Sequence, residues 1–336
     1  MRVLVADDDA TIRFMLKRML EKWNYGVEVV DNGEDALRIL CGESPPRLVL
    51  LDWSMPKMDG IEVCRIIRKR LGDDVGLYVY IIMLTSRSDV ADVRAGLDAG
   101  ADDFIRKPAD PGELRSRLAS GERTIDYENR LRTKEKEVRL ECYRALGALA
   151  ETRDQETGRH LERIADYSTL LASLLGSPPA FVEDMRTFSP LHDIGKVGIP
   201  DSILLAPRRL EPREFEIMKT HSELGYQILH GRPSMEMAAE ICRSHHEKWN
   251  GTGYPLGLSG DDIPITARIV ALVDVYDALR SRRHYKQPWT HEKAMGVVKS
   301  DAGVHFDPKL SEIALDMEKE FRKIGLASET EDGDYA

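Results

Sequence analysis

The stretch LHDIGKVGIP, residues 191–200, sets an imidazole, His192, beside a carboxylate, Asp193, and places an ammonium, Lys196, one turn further on. Leu191, Ile194, Val197 and Ile199 surround them, a setting in which ionisable groups are costly to desolvate. Bound metal would offset that cost if the chain supplies more ligands. Glu156 and His160, in ETGRH, are four apart and share one face of a predicted helix. His221 lies in MKTHSELG, His245 and His246 form a doublet in CRSHHEKWNGTGYP, and Asp274 interrupts the apolar run ARIVALVDVYDALR. These eight nitrogen or oxygen donors on five segments exceed what one metal needs and suffice for two or three. On a helix, neighbours such as His192 and Asp193 diverge by about 100°, a geometry that suits two metals with the carboxylate bridging. His192 and Lys196, four apart, share a face. Imidazole and carboxylate ligation without thiolate suits Fe, Mn, Zn or Co, and spacing does not choose among them. A lone histidine is more often an ordinary hydrogen-bonded residue, and His230, His284, His291 and His305 are read that way.

A second constellation lies in the N-terminal third. VLVA (3–6), LVLL (48–51), YVYIIML (78–84) and DDFIR (102–106) read as strands, and ATIRFMLKRMLEKW and GEDALRILC carry apolar residues at helical spacing. Alternating strands and helices predict an α/β doubly wound domain with a parallel sheet, whose ligand chemistry gathers at the carboxyl ends of the strands. Asp7, Asp8, Asp52, Thr85 and Lys107 fall there. Clustered carboxylates suit a hard cation such as Mg²⁺, and with a hydroxyl and a lysine they can accept and hold a phosphoryl group. Asp9, just before ATIRFML, reads as a helix cap.

The chain has 336 residues, enough for two domains. All nine histidines lie at or after His160, so the halves do different chemistry. The expected division is 1–118, a helical joint over 119–150, an all-α domain over 151–326 and a disordered tail, 327–336. In the joint, Leu131, Val138 and Ala145 fall at one heptad position and Cys142 and Leu149 at another, with Glu135 interrupting; a short parallel coiled coil, hence a homodimer, is the expectation. A net charge of -10 argues against a nucleic-acid polymer as partner. MRVLVADDDA turns acidic too early for a signal peptide, and no apolar run is long enough for membrane insertion. Cys41, Cys64, Cys142 and Cys242 are widely spaced, as in a reducing, cytoplasmic setting.

ADDD, LLDWSMPKMDG, MLTS and DDFIRKP, in that order, resemble a response-regulator receiver domain across the whole first third. The resemblance implies that Asp52 is phosphorylated and that Mg²⁺ is held by Asp7, Asp8 and Asp52 with the backbone at Ser54. It further implies that Thr85 and Lys107 contact the phosphoryl group, that Phe104 is the switch aromatic, and that a sensor histidine kinase is the partner. ETRDQETGRH, LHDIGKVGIPDSIL, HHEKWNGTGYP, LSGDDIPITARI, DVYDALRSRRHYK and HFDP, from about 151 to 308, resemble the HD-GYP cyclic di-GMP phosphodiesterases, a branch of the HD phosphohydrolases. This second resemblance implies metal ligation by His192, Asp193, His221, His245, His246 and Asp274, with Glu156 and His160 adding a third metal. The metals implied are Fe or Mn first, then Zn, Co or Ni. Asp193 and Lys196 would be catalytic, Lys196 holding the scissile phosphate. Gly253, Tyr254, Pro255, Arg283 and Lys286 would contact substrate, and the GYP surface could also meet diguanylate cyclase-type proteins. Asn250 stands where that family usually has Asp, Arg280 and His284 replace Thr and Pro, and LLAPRRLEP departs from the usual turn. These departures bear on substrate preference and remove no ligand.

The expected function is a response regulator that hydrolyses cyclic di-GMP to pGpG or GMP under control of Asp52. The alternatives are a phosphodiesterase for another cyclic dinucleotide such as cyclic GMP-AMP, a nucleotidase, or a non-catalytic signalling adaptor.

Overall fold

The structure is a computed structural model that describes residues 1–73, 78–86, 90–151, 158–281 and 287–327, with backbone alone at 71–73, 90–93, 158 and 327. Glu156, Arg283, His284, Lys286 and nearly all of the C-terminal tail lie outside the described residues. The chain divides into two compact units, Met1–Lys136 and Glu137–Ala336.

The first unit alternates β1 (Arg2–Ala6), α1 (Ala10–Lys22), β2 (Gly26–Val30), α2 (Gly33–Leu40), β3 (Leu48–Asp52), α3 (Gly60–Asp73), β4 (Tyr80–Thr85), α4 (Val90–Asp98) and β5 (Asp103–Arg106), and contains the start of α5 (Pro111–Glu151). All strand pairs are parallel, in the order β2-β1-β3-β4-β5. The two faces are apolar in alternation, as the two-residue period of a strand requires. Leu4, Val49, Leu51, Ile81 and Met83 pack on one side, and Val3, Val5, Leu48, Leu50 and Ile82 on the other with Leu16, Leu114 and Leu118. The edge strand β2, GVEVV, is not among the four runs read as strands. It is half-exposed along its length, so it lacks the continuous apolar run that marks the buried strands. Asp9 caps α1, its carboxylate accepting from the amides of Thr11 and Ile12 at 2.7 and 3.2 Å, and those bonds hold its carboxyl below the usual range.

The second unit is helical. It holds the end of α5 and α6 (Gly158–Leu174), α7 (Pro179–Phe188), α8 (Asp201–Leu204), α9 (Pro212–Leu229), α10 (Glu236–Ser244), α11 (Ile265–Arg280), α12 (His291–Ser300), α13 (Pro308–Asp316) and α14 (Glu318–Ala327). The centre is α11, buried on nearly every side through Ala267, Ile269, Val270, Leu272, Val273 and Tyr276, as expected of a helix that is apolar all round. Tyr276 and Tyr167 meet edge to face, and Tyr167 stacks on Phe321 at 4.9 Å. The predicted joint is part of α5. Leu131, Val138, Cys142, Ala145 and Leu149 all lie exposed on the single chain. Among the described residues, no helix is long and apolar enough to cross a membrane.

Candidate metal centre

His192 and Asp193 do not sit on an α-helix. They lie between two 3-10 turns, Ser189–Leu191 and Ile194–Gly198, so the expected 100° helical divergence and the shared helical face of His192 and Lys196 do not apply. The second turn presses against α9. A Cβ on Gly195 would stand 1.9 Å from the His221 carbonyl oxygen and 2.5 Å from the Gly225 amide nitrogen. Only glycine permits this approach, which brings Asp193 to the histidine on the neighbouring helix.

The fold gathers the donors into two groups. Asp193, His221, His245 and His246 offer ligand atoms all within 4.8 Å of one another, and so do His160, His192 and Asp274. Asp193 lies at the junction. Its Oδ1 is 3.2 Å from His221 Nε2 and 3.4 Å from His245 Nε2, and its Oδ2 is 3.5 Å from His192 Nε2 and 2.8 Å from Lys196 Nζ. Asp274 Oδ1 is 3.8 Å from both His160 Nε2 and His192 Nε2.

The other ring nitrogens show which way the lone pairs face. Nδ1 of His192 donates to the Ser189 carbonyl at 3.0 Å, Nδ1 of His221 to Met218 at 2.7 Å, and Nδ1 of His245 to Cys242 at 3.0 Å and Ile241 at 3.1 Å. His160 Nδ1 donates to Asp277 Oδ2 at 2.7 Å. A carbonyl or carboxylate oxygen only accepts, so each Nδ1 carries a proton, and a ring that is neutral presents a bare Nε2. Among the described residues, Nε2 of His192 and of His245 has no hydrogen-bond partner, although both rings are buried. Burial pulls the pKa of His192, His245 and His246 down, which keeps the rings neutral. Burial alone would raise the Asp193 carboxyl, but Lys196 and His192 hold it well below its ordinary value. Lone pairs therefore face an ionised carboxylate at short range, an arrangement that repels unless cations stand between them. The residues fit divalent metal: the imidazoles are oriented by backbone carbonyls, and ligands of one ion are separated by about 3 to 3.5 Å when each bond is about 2.1 Å.

Several contributors were not singled out from sequence. Asp277 accepts from His160 and from Arg163 Nε and Nη2 at 2.5 and 2.8 Å. Burial would raise its carboxyl, but Arg163 and His160 bring it down to about 2. The signal was its place three residues after Asp274 in an apolar helix. Glu247, 1% exposed, accepts from the amides of Leu256, Gly257 and Leu258 at 2.7, 3.1 and 3.1 Å. It anchors the loop in which Tyr254 stacks on His246, with ring centroids 4.8 Å apart. Gly253 lets that loop close down, since a Cβ there would meet the backbone of Glu247 and Lys248 at 2.4 Å. Pro255 follows Tyr254 through a cis bond. Glu151 brings Oε1 to 3.6 Å from His160 Nε2. Asn250 serves its own turn, accepting from Thr252 N and Oγ1, and Arg280 donates to the Trp289 carbonyl. His230, His291 and His305 have ordinary partners in Glu236, Tyr276 and Phe306.

In the first unit, Asp7, Asp8 and Asp52 form a third group of converging carboxylates. Lys107 Nζ bridges Asp7 at 2.7 Å and Asp52 at 2.8 Å. Burial pushes the Asp52 carboxyl up against the opposing pull of Lys107. A cavity of about 550 Å³ beside it is lined by Asp8, Asp52, Ser54, Thr85 and Lys107, among others. Phe104 is half-buried on β5, beside Met83 of β4.

Fold and sites thus have the form of an α/β domain with clustered acids at its strand ends, followed by a helical domain with two candidate metal-binding groups. Residues 3–119 match the response regulator receiver domain family and residues 144–310 match the HD domain family. A cyclic di-GMP phosphodiesterase of Thermotoga maritima is 35% identical, covering 99% of this chain and 94% of its own. The cyclic di-GMP phosphodiesterase response regulator RpfG of Xanthomonas campestris pv. campestris is 37% identical, covering 94% and 87%. A 3'3'-cGAMP-specific phosphodiesterase 2 of Vibrio cholerae serotype O1 is 46% identical, over 55% of this chain and 36% of its own. The chain belongs to the response regulators that join a receiver to an HD-type phosphodiesterase domain.

Proposed function

We propose that the chain hydrolyses cyclic di-GMP to pGpG, GMP or both, and that phosphorylation of Asp52 controls the reaction. The observation that carries this reading is the set of buried imidazole Nε2 atoms facing the ionised Asp193, which calls for cations. Asp193, His221, His245 and His246 would hold one metal, and Asp193, His192 and Asp274 would hold a second. Glu156 and His160 are the ligands proposed for a third. Fe or Mn is the preferred metal, with Zn, Co or Ni as substitutes, and the receiver acids take Mg²⁺. Bound divalent metals make water a nucleophile near neutral pH and neutralise phosphoryl charge.

The chain's own residues do the rest. Lys196, held at Asp193, is placed to pair with a non-bridging phosphate oxygen and stabilise charge there as it develops. Water adds to phosphorus, the P–O3′ bond breaks, and the ribose oxygen leaves with a proton. Tyr254, backed by His246, walls the site, and Gly253 and Pro255 shape its loop. Arg283 and Lys286 add cationic contacts to the substrate phosphates. The test is protein purified without oxygen, loaded with Fe or Mn and given cyclic di-GMP. Release of pGpG or GMP supports the reading, and no turnover despite bound metal would move it to an adaptor. The resemblance to a cGAMP-specific relative over the HD half favours one second reading, a preference for cyclic GMP-AMP, which the same assay with that substrate decides.

Glu247→Gln tests the loop. A carboxamide offers one acceptor oxygen and turns a donor towards the amides that Glu247 now receives, a loss of about 1.4 kcal/mol or more. The expected result is a KM about tenfold higher at unchanged metal content; an unchanged KM removes the loop from substrate binding.

For control, phosphorylated Asp52 draws on Thr85 and Phe104 and shifts the balance between two states of the receiver, which α5 transmits. A sensor histidine kinase is the phosphoryl donor. The exposed positions Leu131, Val138, Cys142, Ala145 and Leu149 pair two copies through a coiled coil, and the GYP surface is open to diguanylate cyclase-type partners. Asp52→Ala should abolish phosphoryl uptake from acetyl phosphate on a phosphate-affinity gel. If beryllofluoride changes neither turnover nor oligomeric state in the unsubstituted chain, phosphorylation is not the gate.

A further inference from the structure

The geometry points to Glu151, the last residue of α5, as a metal ligand that completes the group formed by His160, His192 and Asp274. The inference rests on the metal reading above and amends it in one respect, placing His160 on the ion of His192 and Asp274 instead of on a separate third ion. Glu151 is 3% exposed, so its carboxylate is held out of water and directed into the protein. Its Oε1 lies 3.6 Å from His160 Nε2, close to the 3.8 Å that separates the same nitrogen from Asp274 Oδ1. His160 Nδ1 already donates to Asp277 at 2.7 Å, so its Nε2 is the atom that faces the two acids. Two carboxylates therefore converge on one ring nitrogen. The fourth member, His192, is wholly buried and, among the described residues, its Nε2 has no hydrogen-bond partner. A divalent cation among the four would be attracted by each of these donors. The separations from His160 Nε2, 3.6 and 3.8 Å, exceed the ligand–ligand distances around one ion, about 3 to 3.5 Å, by a few tenths of an ångström. Glu151, outside the group whose ligand atoms all lie within 4.8 Å of one another, closes on His192 and Asp274 by side-chain rotation.

Glu151 stands five residues before Glu156 and comes from a different element than His160, which sits on α6. It ends a helix of 41 residues that begins at Pro111. A site closed by the end of that helix gains or loses a ligand whenever the helix end turns or withdraws, so metal affinity becomes a property of α5 as well as of the HD fold.

The test uses the full-length chain, stripped of metal and titrated with Mn²⁺ alone, with bound equivalents counted by elemental analysis and affinity read by chelator competition. Glu151→Gln should bind one equivalent fewer than the unsubstituted chain, or bind that equivalent at least tenfold more weakly, while the remaining equivalents keep their affinity. Glu151→Asp, which retains a carboxylate, should restore part of the lost binding. Circular dichroism should be unchanged in both. Unchanged stoichiometry and affinity in Glu151→Gln overturns the assignment, most plainly if Glu156→Gln loses the equivalent instead. Loss of all metal from a natively helical Glu151→Gln chain also overturns it, because Glu151 would then support the fold without being a ligand. An unsubstituted chain that binds no Mn²⁺ beyond the receiver's single equivalent refutes the metal reading itself, a result distinct from these.

Discussion

Asp193→Asn is expected to leave a folded chain with no measurable turnover and at least one fewer bound metal. The carboxylate is in contact with three imidazoles and one ammonium: His221 and His245 on Oδ1, His192 and Lys196 on Oδ2. A carboxamide has the same shape but one acceptor oxygen and an NH₂ that donates. In metal-free protein it can donate to a bare Nε2 but loses the ion pair with Lys196. The metal-free variant should therefore melt below the metal-free parent. Loaded with metal, the gap should widen, because the parent gains binding free energy that the variant forgoes. Turnover should fall by at least roughly 10³-fold, since losing a single preorganised electrostatic contact in other active sites already costs about 10²–10³. Differential scanning calorimetry with and without Mn²⁺, together with elemental analysis, checks both halves. Near-normal activity in the variant would remove Asp193 from the chemistry.

Gly195→Ala is expected to damage the same site through packing alone. Its new methyl would lie 1.9 Å from the His221 carbonyl oxygen and 2.5 Å from the Gly225 amide nitrogen. Both obstacles are backbone, which cannot rotate aside as a flexible side chain could. The turn carrying Asp193 must therefore move away from α9, which carries His221. A displacement of about 1 Å or more breaks the 3.2 Å approach of Asp193 to His221, and overpacking of this kind costs about 1–3 kcal/mol, at times more. The helical unit should unfold several degrees lower, and Mn²⁺ affinity should fall at least tenfold. Gly296→Ala is the control. It lies in α12, where a Cβ would meet nothing within 4 Å, so the change from glycine to alanine should stabilise by about 0.5–1 kcal/mol. Equal metal affinity in Gly195→Ala and the parent would mean that the close approach does not set the site.

The chain's chemistry was largely legible before its shape. Buried acids and imidazoles are expensive unless something compensates them, so a run such as LHDIGKVGIP or VLVA followed by ADDD declares a site. Strand periodicity marked four of the five strands. It missed β2 because an edge strand has no reason to be apolar on both faces. The receiver's alternation of elements was readable for the same cause, since parallel strands are buried and must be continuous in hydrophobicity.

Other features were decided only in three dimensions. Sequence placed His192 and Asp193 on an α-helix, whereas tight turns carry them, because contact with α9 at Gly195 leaves no room for a side chain. Asp277 and Glu247 were passed over because nothing local distinguishes a carboxylate that orients a ligand from one that faces water. Their partners, His160 and the 256–258 amides, are 117 and about ten residues away. Glu151 joins His160 only because α5 ends where α6 passes. Sequence by itself determined which atoms could bind metal and phosphoryl groups, because donor chemistry belongs to the residue. Tertiary structure decided which nitrogen of each ring faces the site and which acids share it, because those depend on backbone carbonyls and helix ends that come together only on folding.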